Sequence, residues 1–559
     1  MTRSTRLAQA AAEFIDLELV PFTLPGSRLL VRFGADRDLV VQRAEYEVDP
    51  ADAVVIRTLR LVDEQGRRLQ VSRVRVDRIE FGDGEAVLTF ADVDALTLAG
   101  PGLAEVQLEY PDGRVASQVG GALRLSVGAD RNVSVDAEPD FAGQLARTAS
   151  VWSKWFDRCP ATRPELEAIV AHCWWVLGAN QIEIDGLPGS RAVAPSKLGY
   201  VALWQWDAYF IAIGLRHGEL RLAQEQLELA LRFAEPDGQL PDVIHDGGVL
   251  SSSDGLPPAD LARLRELGSP ASDPSDRVPL TKPPLAALAL ARLAEAGASL
   301  DWLASMLPTV QASQQWWLDT CVGADGLPEY DHPYSSGLDD SPVFDTDLPV
   351  ATPDLAAYLA VQDRQLADLL TRLGDEPAAA RHRARAADSE RALLRLWDAC
   401  RGRFVARGAH GRVAAHTVVD LLPLLSGTLP EHVADALVAE LSVPRAFGSP
   451  VPVPTVAVCD PAFNGERMWR GPVWVNTNWL LIEGLLASGY AVQAVQLAHR
   501  TLAMVAAAGG AFEYYHPVTG LRAGRAAPAF AWTAALIVDL SVRFGAEFRL
   551  TRPDEPRVF

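Results

Sequence analysis

The chain has 559 residues, 49% of them apolar, and a formal charge of −21. At roughly 100–200 residues per domain, that length allows two to four domains, or one large repeat-type domain with a smaller companion. An acidic chain with no run of five or six basic residues argues against a nucleic-acid partner, and no stretch approaches the roughly twenty apolar residues of a membrane span.

In the first twenty residues, MTRSTRLAQAAAEFIDLELV, the acids Glu13, Asp16 and Glu18 interrupt any apolar leader core. The five cysteines (Cys159, Cys173, Cys321, Cys400, Cys459) are odd in number and widely spread, with no C-x-x-C pair. That pattern fits a reducing cytosol better than a disulfide framework or a zinc site. The expected compartment is the cytoplasm, with no metal and no cofactor. Lysine occurs only at 154, 197 and 282, which reads as a coding habit.

Residues 20–140 read as strands. Segments such as RLLVRFG, AVVIRTLRLV, AVLTFADV and ALRLSV alternate apolar and polar positions, separated by DEQG, FGDGE, AGPG and PDG. Short alternating strands with regular turns predict an antiparallel sandwich-like domain over 1–140. A helical linker is expected over 141–164.

The remainder is helical in pattern, and all fourteen Trp lie at or beyond position 152. Apolar periodicity predicts twelve helices, near 163–179, 207–217, 219–234, 283–296, 299–319, 353–372, 375–397, 415–424, 429–441, 475–488, 490–508 and 528–543. Twelve helices in some 400 residues, without the fixed-period repeat of a solenoid, suggest an (α/α)6 barrel over 165–559. Short connections alternate with long ones, so the long loops would gather at one mouth of such a barrel. Long loops in a compact domain are usually functional.

Five of those loops carry the chemistry. In GYVALWQWDAYFIAIGL, Trp204, Trp206, Tyr209 and Phe210 surround Asp207. Asp207 is either a helix N-cap among core aromatics or a carboxylate that takes sugar hydroxyls beside stacking rings. His245 in DGQLPDVIHDGG is a proton donor to a substrate hydroxyl or a turn histidine. DGLPEYDHPYSSGLDDSPVFD packs six acids into twenty-one residues, Asp339 and Asp340 side by side. PAFNGERMWRGPVWVNTNWLL sets Arg470 between Trp469 and Trp474 near a Gly471-Pro472 break, and a buried Arg requires a partner. GGAFEYYHPVTGLRAG flanks Glu513 with aromatics. Two carboxylate loops far apart in sequence, with Trp and Tyr between, suit glycoside hydrolysis, in which one carboxyl protonates the leaving oxygen and the other activates water or attacks carbon.

The segments WQWDAYFIAIGL, KPPLAALAL, HPYSSGLDDSP, WRGPVW and EYYHPVTG, in that order from about residue 165 onward, resemble glycoside hydrolase family 63 and its trehalase-like relatives. More narrowly, they resemble the bacterial mannosylglycerate/glucosylglycerate hydrolase-type branch. The resemblance implies an (α/α)6 barrel and inversion at the anomeric carbon, with Asp339 as general acid and Glu513 as general base. It implies a substrate-binding set of Tyr200, Trp204, Trp206, Asp207, His245, Tyr334, Gly337, Trp469, Arg470, Gly471 and Trp474. Asp340 stands where relatives commonly carry Asn, and Tyr334 and Ser335 where they often carry Trp and Glu. The polar segment 249–280 reads as a lid. The expected activity is therefore an inverting exo-acting α-glycosidase on a small α-glucoside or α-mannoside. The alternatives are a phosphorylase, epimerase or lyase on the same barrel, or a carbohydrate-binding protein without catalysis. The expected partner is a small carbohydrate, with no nucleic acid and no membrane; homo-oligomerisation is left open.

Overall fold

Residues 1–266 and 277–547 are described by the computed structural model, and they divide into two units. The first takes in Met1–Ala202, Gly509–Ala511 and Ala527–Ala534; the second holds the rest.

The first unit opens with a helix that strand periodicity did not anticipate. α1 (Arg3–Ala12) is capped by Thr2, whose hydroxyl accepts from the Thr5 N–H at 3.2 Å, and it buries Ser4, Leu7 and Ala11 on one face. Eleven strands follow: β1 (Leu29–Phe33), β2 (Leu39–Arg43), β3 (Val54–Val62), β4 (Val71–Val74), β5 (Ile79–Phe81), β6 (Ala86–Asp92), β7 (Ala95–Ala99), β8 (Glu105–Glu109), β9 (Val115–Val119), β10 (Leu123–Val127) and β11 (Val133–Ala137). They form two antiparallel sheets, in the orders β1-β2-β3-β8-β9 and β11-β10-β7-β6-β5-β4. Register follows the alternation: Leu59 faces Leu108 and Leu61 faces Val106, all buried. Leu123, Leu125 and Val127 are the buried positions of β10. A one-residue slip would turn these side chains to solvent.

α2 (Phe141–Asp157) starts at Asp140, which accepts from the Gly143 N–H at 3.2 Å. It packs on α3 (Pro164–Ala179) through Trp155 and Trp174, stacked at 5.0 Å. Each indole N–H of that pair donates to the other residue's backbone carbonyl, at 2.7 and 2.9 Å.

The second unit carries most of the helices: α4 (Gln205–Leu215), α5 (Leu220–Ala230), α6 (Pro258–Glu266), α7 (Ala286–Glu295), α8 (Leu300–Thr320), α9 (Pro333–Ser336), α10 (Pro353–Arg372), α11 (Glu376–Leu394), α12 (Glu431–Glu440), α13 (Val475–Ala487), α14 (Ala491–Ala508) and, from Ala535 on, α15 (Ala531–Phe544). Consecutive pairs α4/α5, α10/α11 and α13/α14 pack together, and α7 lies against α4 and α10. Every residue of α4 is buried, as expected of a helix apolar on all sides. At Gly214 a Cβ would come within 2.3 Å of the Ala535 carbonyl oxygen, so α15 approaches closely there.

Among the described residues, eleven of the twelve expected helices are present within a few residues. The exception is 415–424, which is two 3-10 turns, Val418–Asp420 and Leu422–Ser426. Pro423 lacks the N–H an α-helix would use there. α6 and the single turn α9 were not anticipated. Of the segment 249–280 expected as a lid, residues 267–276 lie outside the described ones. The chain is thus mainly helical, with antiparallel sheets in its N-terminal region.

Candidate active site

α9 is one helical turn closed at both ends. His332 caps it, accepting from the Tyr334 N–H at 3.1 Å, Pro333 occupies its first position, and Gly337 ends it at φ +71°. A Cβ on Gly337 would lie 2.2 Å from the Trp206 ring. Gly337 therefore meets two demands at once, a left-handed turn and an indole in contact.

The two adjacent acids then diverge. Asp340 turns inward, with its side chain 2% exposed. It accepts from the Trp469 backbone N–H at 2.9 Å and from Arg467 Nε at 3.3 Å. Asp339 is 29% exposed, and its Oδ1 lies 4.0 Å from the Lys282 ammonium.

Lys282 is buried. Its Nζ lies 3.0 Å from both oxygens of Asp242 and donates to the Tyr334 carbonyl at 2.7 Å. Gln205, first residue of α4, fixes this arrangement. Its N–H donates to the Asp242 carbonyl at 3.0 Å, and its side-chain oxygen accepts from the Lys282 N–H at 2.9 Å. Leu203–Trp204 pair antiparallel with Val243–Ile244, so the strand leading into α4 and the hairpin that follows Asp242 form one sheet. Asp207 occupies the first turn of α4, whose N-cap is Trp204; it is not the capping residue. A carboxylate is favoured at that end of a helix.

The electrostatics follow from burial. Burial pushes Asp207 well above the usual carboxylate range; Lys282 opposes this, and Asp242 and Asp339 add to it. Asp242 is pushed up to about 6 by burial, against the pull of Lys282. Lys282 is lowered by burial but raised more by Asp242, Asp339 and Asp207 together. His332 is pushed down to about 3 by burial and by Lys282.

Arg470 finds its partner in Asp345: Nη1 donates to Oδ2 at 3.0 Å and Nη2 donates to Oδ1. Asp345 and Asp242 were not singled out from the sequence, and Lys282 entered only as the first residue of KPPLAALAL. Gly471 lets the Asn464 carbonyl come near, since a Cβ there would meet that oxygen at 2.8 Å.

An aromatic series connects the loops. Trp206 lies 6.2 Å from Trp469, Trp469 stacks on Trp474 at 3.6 Å and 7°, and Trp474 meets Tyr514 at 4.9 Å. Val473 and Tyr515 exchange backbone hydrogen bonds at 2.7 and 2.9 Å. These bonds fix the segment bearing Glu513, which is buried at 4% exposure, against the WRGPVW loop. The loops of Asp207, Asp339, Arg470 and Glu513 are therefore joined through named contacts. His245 ends the Val243–His245 strand, its Nδ1 accepting from the Gly247 N–H at 3.1 Å, and partial burial lowers it from its ordinary value. Tyr200 belongs to the first unit, where its ring meets Phe530 edge-on at 5.6 Å.

Among the described residues no group of three or more His, Cys, Asp or Glu is placed to hold a metal ion, and no helix is long and apolar enough to cross a membrane.

The profile of the mannosylglycerate hydrolase MGH1-like glycoside hydrolase domain matches residues 200–533. The mannosylglycerate hydrolase of Rubrobacter radiotolerans is 28% identical over 449 residues, covering 67% of this chain and 97% of that protein. The glucosylglycerate hydrolase of Mycolicibacterium hassiacum is 25% identical over 421 residues, covering 62% and 92%. The crystal structure of a family 63 mannosylglycerate hydrolase of Thermus thermophilus with Tris and D-glycerate superposes with a TM-score of 0.54 at 26% identity. It covers 66% of this chain and 98% of that one.

Proposed function

The chain belongs to the mannosylglycerate hydrolase MGH1-like glycoside hydrolase family, and on that premise we propose that it is an inverting, exo-acting α-glycosidase of a small α-mannoside or α-glucoside. Glycerate is the aglycone to try first, since the similar proteins are hydrolases of mannosylglycerate and glucosylglycerate. In this reading the helical region closes as an (α/α)6 barrel, preceded by a β-sandwich domain, and the enzyme works in the cytoplasm.

Asp339 is the general acid and protonates the glycosidic oxygen. Glu513 is the general base and activates a water on the opposite face of the sugar. Inversion needs room for that water, with carboxyl groups roughly 6.5–9.5 Å apart. Trp204, Trp206 and Asp207 hold the sugar that is released, and Trp469, Arg470 and Trp474 shape the same subsite.

The observation that supports this most is the series Trp206, Trp469, Trp474, Tyr514. It runs from the ring packed on Gly337, two residues before Asp339, to the residue next to Glu513. Aromatic faces suit the C–H faces of a pyranose, and acids at both ends of such a wall suit a two-carboxylate reaction.

The test is Asp339→Asn and Glu513→Gln, assayed on α-mannosylglycerate and α-glucosylglycerate, with NMR detection of the anomer first released. The expected result is a loss of about 10²–10⁴-fold in kcat for each variant and release of the β-anomer by the wild type. Either variant at wild-type rate, or release of the α-anomer, would overturn the assignment.

A further inference from the structure

Lys282 is a buried cation among carboxylates. Its ammonium touches Asp242 and the Tyr334 carbonyl, and stops 4.0 Å short of Asp339. Asp207 is the third acid within its electrostatic reach. The Tyr334 ring centroid lies 5.8 Å away. His332, another titratable neighbour, is buried and neutral. Asp340 is occupied by Arg467 and the Trp469 N–H.

A group that must deliver a proton is sensitive to such a neighbour. An ammonium hydrogen-bonded to the acid would stabilise the carboxylate and strip the proton too early. With no cation present, the acid would hold that proton too tightly. A separation of 4.0 Å is beyond hydrogen-bond range, yet close enough for a large electrostatic effect in a site of low effective dielectric.

We infer that Lys282 and Asp242 form a positioning pair that sets the proton affinity of Asp339, Asp242 and the Tyr334 carbonyl holding the ammonium just out of contact with the acid. This rests on Asp339 being the general acid. Burial lowers Lys282 less than its three carboxylates raise it, so the ammonium persists through neutral pH. Asp242 is pushed up to about 6 by burial, so above that pH it is ionised and holds the lysine back.

The two partners therefore have opposite signatures. Removing the cation leaves Asp339 with a higher proton affinity. Removing the Asp242 charge frees the ammonium to approach Asp339 and lowers it. The experiment is the pH dependence of kcat on α-mannosylglycerate for the wild type, Lys282→Met, Lys282→Gln and Asp242→Asn. Lys282→Gln keeps a donor for Asp242 and the Tyr334 carbonyl, and serves if the methionine variant does not fold. The alkaline limb is expected to move up by about 1–2 pH units in the lysine variants and down by about one in Asp242→Asn. On an α-glycosyl fluoride, whose leaving group requires little proton transfer, both limb shifts should vanish.

Limbs that stay put, or move the same way in both sets, would overturn the inference, since a merely structural pair would lower kcat without displacing the limb. Failure of the underlying reading looks different: Asp339→Asn would then hydrolyse the glycerate glycoside at the wild-type rate.

Discussion

Asp339 and Asp340 carry the same side chain one residue apart, and their neighbours give them different work. Asp340 receives a backbone N–H from Trp469 and a charged Nε from Arg467. The first of these is buried and the second half-exposed, so the N–H is the contact that matters more. An amide can accept the same N–H. Asp340→Asn should therefore keep kcat within about threefold, whereas Asp340→Leu strands a buried donor at a cost of about 1–3 kcal/mol and displaces the loop bearing Trp469. Thermal melting and kcat measured side by side check this; equal impairment of the two variants would mean that the charge is what counts. Gly337→Ala is a sharper change. It strains a left-handed turn by about 1 kcal/mol and drives a methyl into Trp206. The expected outcome is a kcat/KM loss with a melting temperature lowered by a few degrees. At this scale the candidate site was partly legible. Asp207, Asp339, Arg470 and Glu513 stood out because aromatics, Gly and Pro crowd around them. Asp242, Lys282 and Asp345 also have Pro, Gly or Phe beside them, and nothing local set them apart. Their meaning lies in partners 40, 57 and 125 residues away along the chain, and one sequence carries no trace of that pairing.

Helices held by ion pairs in their buried faces behave differently from helices held by apolar packing alone. Asp539 on α15 is fully buried. It receives Trp479 Nε1 of α13 at 2.8 Å, Arg216 at the end of α4 at 2.8 Å, His217 at 2.9 Å and Arg543 at 3.0 Å. Burial alone would raise its proton affinity. His217, Arg216 and Arg543 outweigh that and hold the carboxyl far below the usual range. A carboxyl depressed in the folded state gives its full contribution above the unfolded value, near 3.9, and loses it as pH falls toward the folded value. Wild-type melting temperature should accordingly fall as pH drops below about 4, and this part of the fall should be missing in Asp539→Asn. At neutral pH that variant leaves Arg216 without its counter-ion, at a cost of about 3–5 kcal/mol, or roughly 3–6 °C in melting temperature for a chain of this length. Melting curves from about pH 3 to 7 decide it; identical pH dependence in both proteins would remove Asp539 as the cause. Helices of this kind were legible because their apolar spacing is dense: α10 and α14 stand within a residue or two of where the periodicity put them. The segment at 415–424 misled because VVDLLPLLS is apolar enough to pass for a buried helix, while Pro423 withholds an N–H and the segment forms two short 3-10 turns. α1 was hidden by its length of ten residues and by polar neighbours. The early strands, by contrast, declared themselves through strict alternation, as in β10.

The molecule as a whole carries 72 acidic and 51 basic residues. If the substrate is a glyceric-acid glycoside, it approaches as an anion toward a protein of net charge −21. Two fields then compete. The net charge repels the anion at long range, over a Debye length of roughly 10 Å at 0.1 M salt and about 30 Å at 0.01 M. The cations near the site act only at short range, and each is already engaged: Lys282 by Asp242, Arg467 by Asp340, Arg470 by Asp345. A neutralised cation projects little field, so the long-range repulsion should dominate the encounter. Raising the ionic strength from about 0.01 to 0.5 M should then increase kcat/KM for the glycerate glycoside by about two- to fivefold. A neutral methyl glycoside of the same sugar should show no such change. The pair of substrates matters, because salt effects on the fold would move both alike. A fall in kcat/KM confined to the anionic substrate would mean that a local cation reaches the carboxylate after all. The first residue to test for it would be Arg470, whose carboxylate partner Asp345 has a side chain 33% exposed and so could yield its place to a substrate anion.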